Sequence, residues 1–70
     1  MEKNERERLL ILFDHWVNHN KEHISQYQSW VKKLEAEGLN EVANRLKQAS
    51  ELILQVNQEF SAAKEILAKS

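Results

Sequence analysis

The chain has 70 residues, with ten Lys or Arg against eleven Asp or Glu, a formal net charge of −1, no cysteine, no proline and a single glycine. That size allows one small domain spanning 1–70, and the absence of cysteine excludes disulfides, thiolate metal sites and cysteine catalysis. Acids and bases alternate along the chain, which argues against the basic stripe that nucleic-acid binding uses.

Few helix breakers in a chain rich in Leu, Glu, Lys, Ala and Gln predict an all-α protein. The first helix is expected from about residue 5 to 37. Asn4, with Glu7 three residues on, resembles a capping box in which Asn replaces Ser or Thr. The run Leu9-Leu10-Ile11-Leu12-Phe13 is far shorter than the roughly 20 residues of a membrane span. Asp14 and His15 follow it directly, with no small-residue cleavage site. No membrane association is expected, and the protein is read as cytoplasmic.

The three histidines are the only ones in the chain and fall in one window: His15, His19 and His23. Residues four apart are stacked neighbours on a helix, so adjacent imidazoles can share an ion. One helix cannot bring all three to a single ion, because His15 and His23 lie about 12 Å apart along its axis. The pair His19 and His23 lies closer to the apolar stripe of this helix. Glu22, three residues after His19, is placed as a further ligand or as an acceptor for an imidazole N–H. Asp14 is less well placed. A third and fourth ligand are expected either from the second hairpin of a dimer or from Glu59 and Gln55 on the second helix. Imidazoles with a carboxylate suit zinc, nickel, copper or iron. No Glu-x-x-His occurs, so no di-iron site of the ferritin type is assigned. Two other readings stay open. His23 can pack at a core edge with the others solvated, or the three imidazoles can charge together on acidification and loosen an assembly built over them.

The first helix carries one stripe of Leu9, Phe13, Trp16, Asn20, His23, Tyr27, Trp30 and Leu34, and a second row of Leu10, Val17, Ile24 and Val31 beside it. Both tryptophans are in register with the stripe and read as core anchors. The pattern then breaks at Glu37-Gly38-Leu39-Asn40. Gly38 suits the left-handed position after a helix end, and Asn40 suits an N-cap. The turn is placed at 38–40 and the second helix from about residue 41 to 68. Its heptad stripe is Leu39, Val42, Leu46, Ala49, Ile53, Val56, Phe60, Ala63 and Leu67, widened by Leu52 and Ile66.

A short turn makes the helices antiparallel neighbours, pairing residues whose numbers sum to about 77. Trp16 then faces Phe60, Trp30 faces Leu46, and Asn20 comes level with Asn57, a polar pair of the kind that fixes register in a helical core. The apolar face of the first helix is too wide for one partner helix. A homodimer of two hairpins, forming an antiparallel four-helix bundle, is the simplest way to cover it.

The segment from Leu12 to His23, Trp30 and the Glu37-Gly38-Leu39 turn resemble a group of small uncharacterised prokaryotic two-helix proteins. These share a His-Trp-x-x-His-Asn-x-x-His helix, a Gly-Leu turn and a second amphipathic helix. The resemblance implies a link to transition-metal handling, with His15, His19 and His23 as the matching positions and Asn20 alongside. The expected function is therefore a non-enzymatic metal-binding protein (a sensor, carrier or chaperone accessory) that holds a divalent transition metal on His19 and His23, with His15 and Glu22 assisting. The alternative is a helical adaptor whose apolar face docks a partner protein's helix. No catalytic set is evident: no glycine-rich phosphate loop occurs, and the serines show no nucleophile–base arrangement.

Overall fold

A computed structural model describes all residues, 1–70. Two helices, α1 (Lys3–Ala36) and α2 (Asn40–Lys69), pack along their full length as an antiparallel hairpin. The expected all-α hairpin is thus the observed fold. No helix is long and apolar enough to cross a membrane.

The turn follows from Gly38, whose φ of 76° is the chain's only positive value. The Leu39 N–H donates to the Leu34 carbonyl at 2.9 Å and the Gly38 N–H to the Glu35 carbonyl at 3.0 Å. This is the Schellman pattern, in which a left-handed residue satisfies the last carbonyls of a helix.

Both expected N-caps differ from the structure. α1 begins at Lys3, one turn position ahead of the Asn4 box, and no side chain caps it. Nothing in Lys3-Asn4-Glu5 breaks a helix, so Asn4 is absorbed into the first turn and the Glu2 carbonyl takes the Arg6 N–H. Asn40 is likewise the first residue of α2 rather than its cap, because the Leu39 carbonyl already accepts the Ala43 N–H. At the other end of the rod, the Arg6 guanidinium donates from Nη2 to the carbonyls of Leu67 (2.6 Å), Ala68 (3.2 Å) and Ser70 (2.8 Å). A cation there offsets the negative end of the helix dipole.

The seam between the helices is rotated from the expected one. α1 contributes Leu10, Phe13, Val17, Asn20, Ile24, Tyr27, Val31 and Leu34, all buried or half-buried. α2 contributes Leu46, Ile53, Phe60 and Leu67, alternating with Ala43, Ser50, Asn57 and Lys64. The neighbouring column of Val42, Ala49, Val56 and Ala63 therefore lies beside the seam, with Val42 and Val56 exposed. Small Ala43 and Ser50 admit the bulk of α1, and Asn57 is held by hydrogen bonds. Trp30 is not a core anchor: it is 57% exposed, with the Lys33 ammonium 4.8 Å from its ring centroid.

The hairpin is a rod of 53 × 14 × 13 Å with a radius of gyration of 16.1 Å. A globular chain of this length would have a radius near 11 Å. Only two apolar residues, Val31 and Ala43, are buried. The accessible surface is 5650 Å², about 1,000 Å² more than a compact monomer of this mass exposes.

Candidate metal centre

The histidines occupy one lane of α1 at four-residue spacing. Such lanes are inclined to the helix axis, so successive members rotate from solvent toward the seam. His15 and His19 are exposed, His23 and Tyr27 are half-buried, and Val31 is buried. Within this ladder His15 stacks on His19 with ring centroids 6.3 Å apart. His23 stacks on Tyr27 at 6.0 Å.

His19 and His23 do more than stack. Their rings meet edge to face at 4.5 Å, and the two Nε2 atoms are 3.0 Å apart. Without a metal, one Nε2 must carry the proton and the other must accept it. With a metal, both lone pairs must point at one ion. Two metal–imidazole bonds of about 2.0–2.1 Å at right-angled or tetrahedral geometry hold their nitrogens about 2.9–3.4 Å apart. The observed spacing lies inside that range. It is nearer the right-angled than the tetrahedral value, and it is also the length of an ordinary hydrogen bond between the two rings.

The remaining sequence candidates do not join them. No set of three His, Asp or Glu side chains converges on a common point. His15 stays one turn away, separated by its stacking distance. Glu22 and Glu59 are exposed and take part in no ion pair. Gln55 is exposed on α2. Asp14 is engaged elsewhere, accepting from Lys64 Nζ at 2.7 and 2.9 Å.

Three neighbours set the character of the site. Trp16 is wedged between Phe13 and Phe60, with centroids at 5.6 and 5.4 Å. A shallow groove bounded by Trp16, His19, Asn20, Val56 and Phe60 runs alongside the imidazoles. At its floor Asn20 Nδ2 donates to Asn57 Oδ1 at 2.9 Å, and Asn57 Nδ2 donates to the Val17 carbonyl at 3.2 Å. The expected Asn20–Asn57 pair is therefore present, and no buried side-chain polar atom is left without a partner. Those bonds fix the level at which α2 lies against the histidine helix. Tyr27 was not among the sequence candidates. Its four-residue spacing from His23 was the available signal.

The model of a domain of unknown function, DUF8180, matches residues 9–67. The chain belongs to that family. The match takes in the histidine helix, the Gly38 turn and nearly all of α2. No curated protein and no solved structure matches the chain.

Proposed function

We propose that the protein is a small non-enzymatic metal-binding hairpin of the cytoplasm, with His19 and His23 as its primary ligands. One observation carries this reading: two imidazole Nε2 atoms on consecutive turns, 3.0 Å apart and open to solvent on the His19 side. The His-Trp-x-x-His-Asn-x-x-His helix is, on this reading, the functional motif of a prokaryotic family. His15 extends the ladder as an entry ligand, and Glu22 is within a turn as an auxiliary carboxylate. Zinc, nickel and copper are the ions these donors suit.

The adaptor reading rests on a different observation, the exposed Trp30, Leu52 and Ile66. A client helix laid over them would leave the histidines incidental.

Thermal unfolding of chelator-stripped protein, alone and with Zn²⁺, Ni²⁺, Cu²⁺ or Co²⁺, separates the two. An ion that binds the folded state stabilises it by mass action, by about 2.7 kcal/mol at a hundred times Kd, and so raises the midpoint. A rise that disappears in the His19→Ala/His23→Ala variant supports the metal site. No rise with any ion leaves the adaptor.

A further inference from the structure

The apolar long side of the hairpin is made of one bulky column and one small one. On α1 it shows Leu9, Trp16, His23 and Trp30 at seven-residue spacing, and on α2 Val42, Ala49, Val56 and Ala63. The groove that Trp16 and His19 share with Val56 puts both columns on one side. Trp16, Trp30, Val42 and Val56 are exposed, and the other four are half-buried. Flanking them, away from the seam, run Leu12 and His19 on α1 and Leu52, Glu59 and Ile66 on α2. Exposed Leu54 lies on the opposite side, Ile11 at the outer edge of α1 and Leu39 in the turn.

The Asn20–Asn57 bond sets residues of the two helices level where their numbers sum to about 77. A twofold axis parallel to the helices preserves levels, so it lays α1 of one protomer on α2 of its partner at that same sum. Helical side chains lean toward their own N-terminus. That lean carries Trp16 onto the partner's Ala63, His23 onto the partner's Val56 and Trp30 onto the partner's Ala49. Each large group meets a smaller one, as an interdigitated core requires. A twofold axis crossing the helices instead sets the bulky columns against each other and the small ones against each other, which leaves the two helix pairs at unequal spacing. In the flanks, the parallel axis sets Leu12 against the partner's Ile66 and brings the partner's Glu59 level with the His19–His23 pair. Lys33 and Arg45 fall at the rim, where long side chains reach solvent.

We infer that a second copy of this chain covers this face about the parallel axis, and that the partner's Glu59 is the third ligand of the metal held by His19 and His23. The surface area agrees with a second copy. The hairpin exposes about 1,000 Å² beyond a compact monomer, and a stable interface hides about 800 Å² on each partner. The ligand count agrees as well. One hairpin brings no three donors together, and its Glu59 is exposed and in no ion pair. The dimer holds two equal sites of two imidazoles and a carboxylate, a set that zinc takes with its fourth position open.

This inference rests on the metal reading, and its test keeps the two apart. Sedimentation equilibrium should give a species of twice 8.3 kDa. Trp30→Glu, outside the seam, should weaken association at least about a hundredfold with helical circular dichroism unchanged. A spin label at Glu37→Cys reads the axis. The parallel axis puts both turns at one end with the labels about 20 Å apart, whereas a crossing axis separates them by about the 53 Å length of the rod. The third ligand is read by mixing two variants. His19→Ala/His23→Ala and Glu59→Gln should each bind Zn²⁺ at least about tenfold more weakly than the wild type. Their mixed dimer should regain one site of wild-type affinity, because the first chain supplies Glu59 and the second the imidazoles. A monomer that binds Zn²⁺ through His19 and His23 overturns the inference and leaves the metal reading standing. Labels at opposite ends, or a mixed dimer that regains no site, overturn it in the same way. A wild-type dimer that takes up no ion overturns the third ligand together with the metal reading.

Discussion

The two long sides of the hairpin have the same backbone and opposite chemistry. One side carries the ion pairs Asp14–Lys64 at 2.7 Å and Glu35–Lys47 at 2.9 Å, which bridge the helices across solvent. The other carries Trp16, His23 and Trp30 on α1 and Val42 and Val56 on α2, with no ion pair across it. The first side holds its charges in solvent, two pairs of them bridging the helices, with Leu54 as its exposed apolar residue. The second leaves aromatic and β-branched groups in water beside the hydrogen-bonded His19–His23 pair. Composition alone does not distinguish a charged side from an apolar one; the column each residue occupies does.

Four substitutions sharpen that contrast. The largest loss is expected for Phe60→Ala, which removes the ring that holds both Phe13 (centroids 6.1 Å) and Trp16 (5.4 Å). Urea unfolding should show a destabilisation of about 3 kcal/mol. A loss below about 1 kcal/mol would mean the aromatic side contributes little to the hairpin itself.

Asn57→Ala comes next. Asn57 is 7% exposed and joins both helices through two hydrogen bonds. Stranding Asn20 and losing those bonds should cost about 1–3 kcal/mol. Asn20→Ala/Asn57→Ala should cost less than the sum of the singles, because the cycle counts one shared interaction. Strict additivity in that cycle would remove the pair from the account.

Gly38→Ala tests the turn between the two sides. A Cβ there meets nothing within 4 Å, so any penalty reflects the positive φ alone. About 1 kcal/mol is expected in the same unfolding assay. A neutral result would mean that the turn readily adopts another conformation.

The smallest effect belongs to the charged side. Lys64→Ala removes an exposed ion pair and should change stability by no more than about 0.5 kcal/mol, an effect that shrinks further in salt. A loss comparable to that of Phe60→Ala would reverse the ranking of the two sides.

The hairpin, the Gly38 turn and the Asn20–Asn57 level are readable from the sequence, because each rests on local chemistry or on register. The level held because a short turn leaves little freedom in how two helices slide. The face was harder to read. Of the two columns of the α2 stripe, the one through Leu46, Ile53, Phe60 and Leu67 lies in the seam, while on the other flank Ala43, Ser50 and Asn57 turn inward in place of Val42 and Val56. Packing against bulky α1 favours small residues there, and apolar periodicity alone does not say which columns face the other helix. The same rotation moved Trp30 from core to surface. The histidine ladder was legible as spacing. Which two rings meet depended on how the inclined lane crosses the helix, and that is a property of the folded seam.

The most direct measurement is the zinc and nickel affinity of the wild type and of four single variants, by isothermal titration at fixed pH. The pH must be held because protons compete for imidazole lone pairs. His19→Ala and His23→Ala should each lose at least about tenfold in affinity, while His15→Ala and Glu22→Ala should lose clearly less. Affinity that survives unchanged in both His19→Ala and His23→Ala would contradict the assignment of these two imidazoles as the ligands.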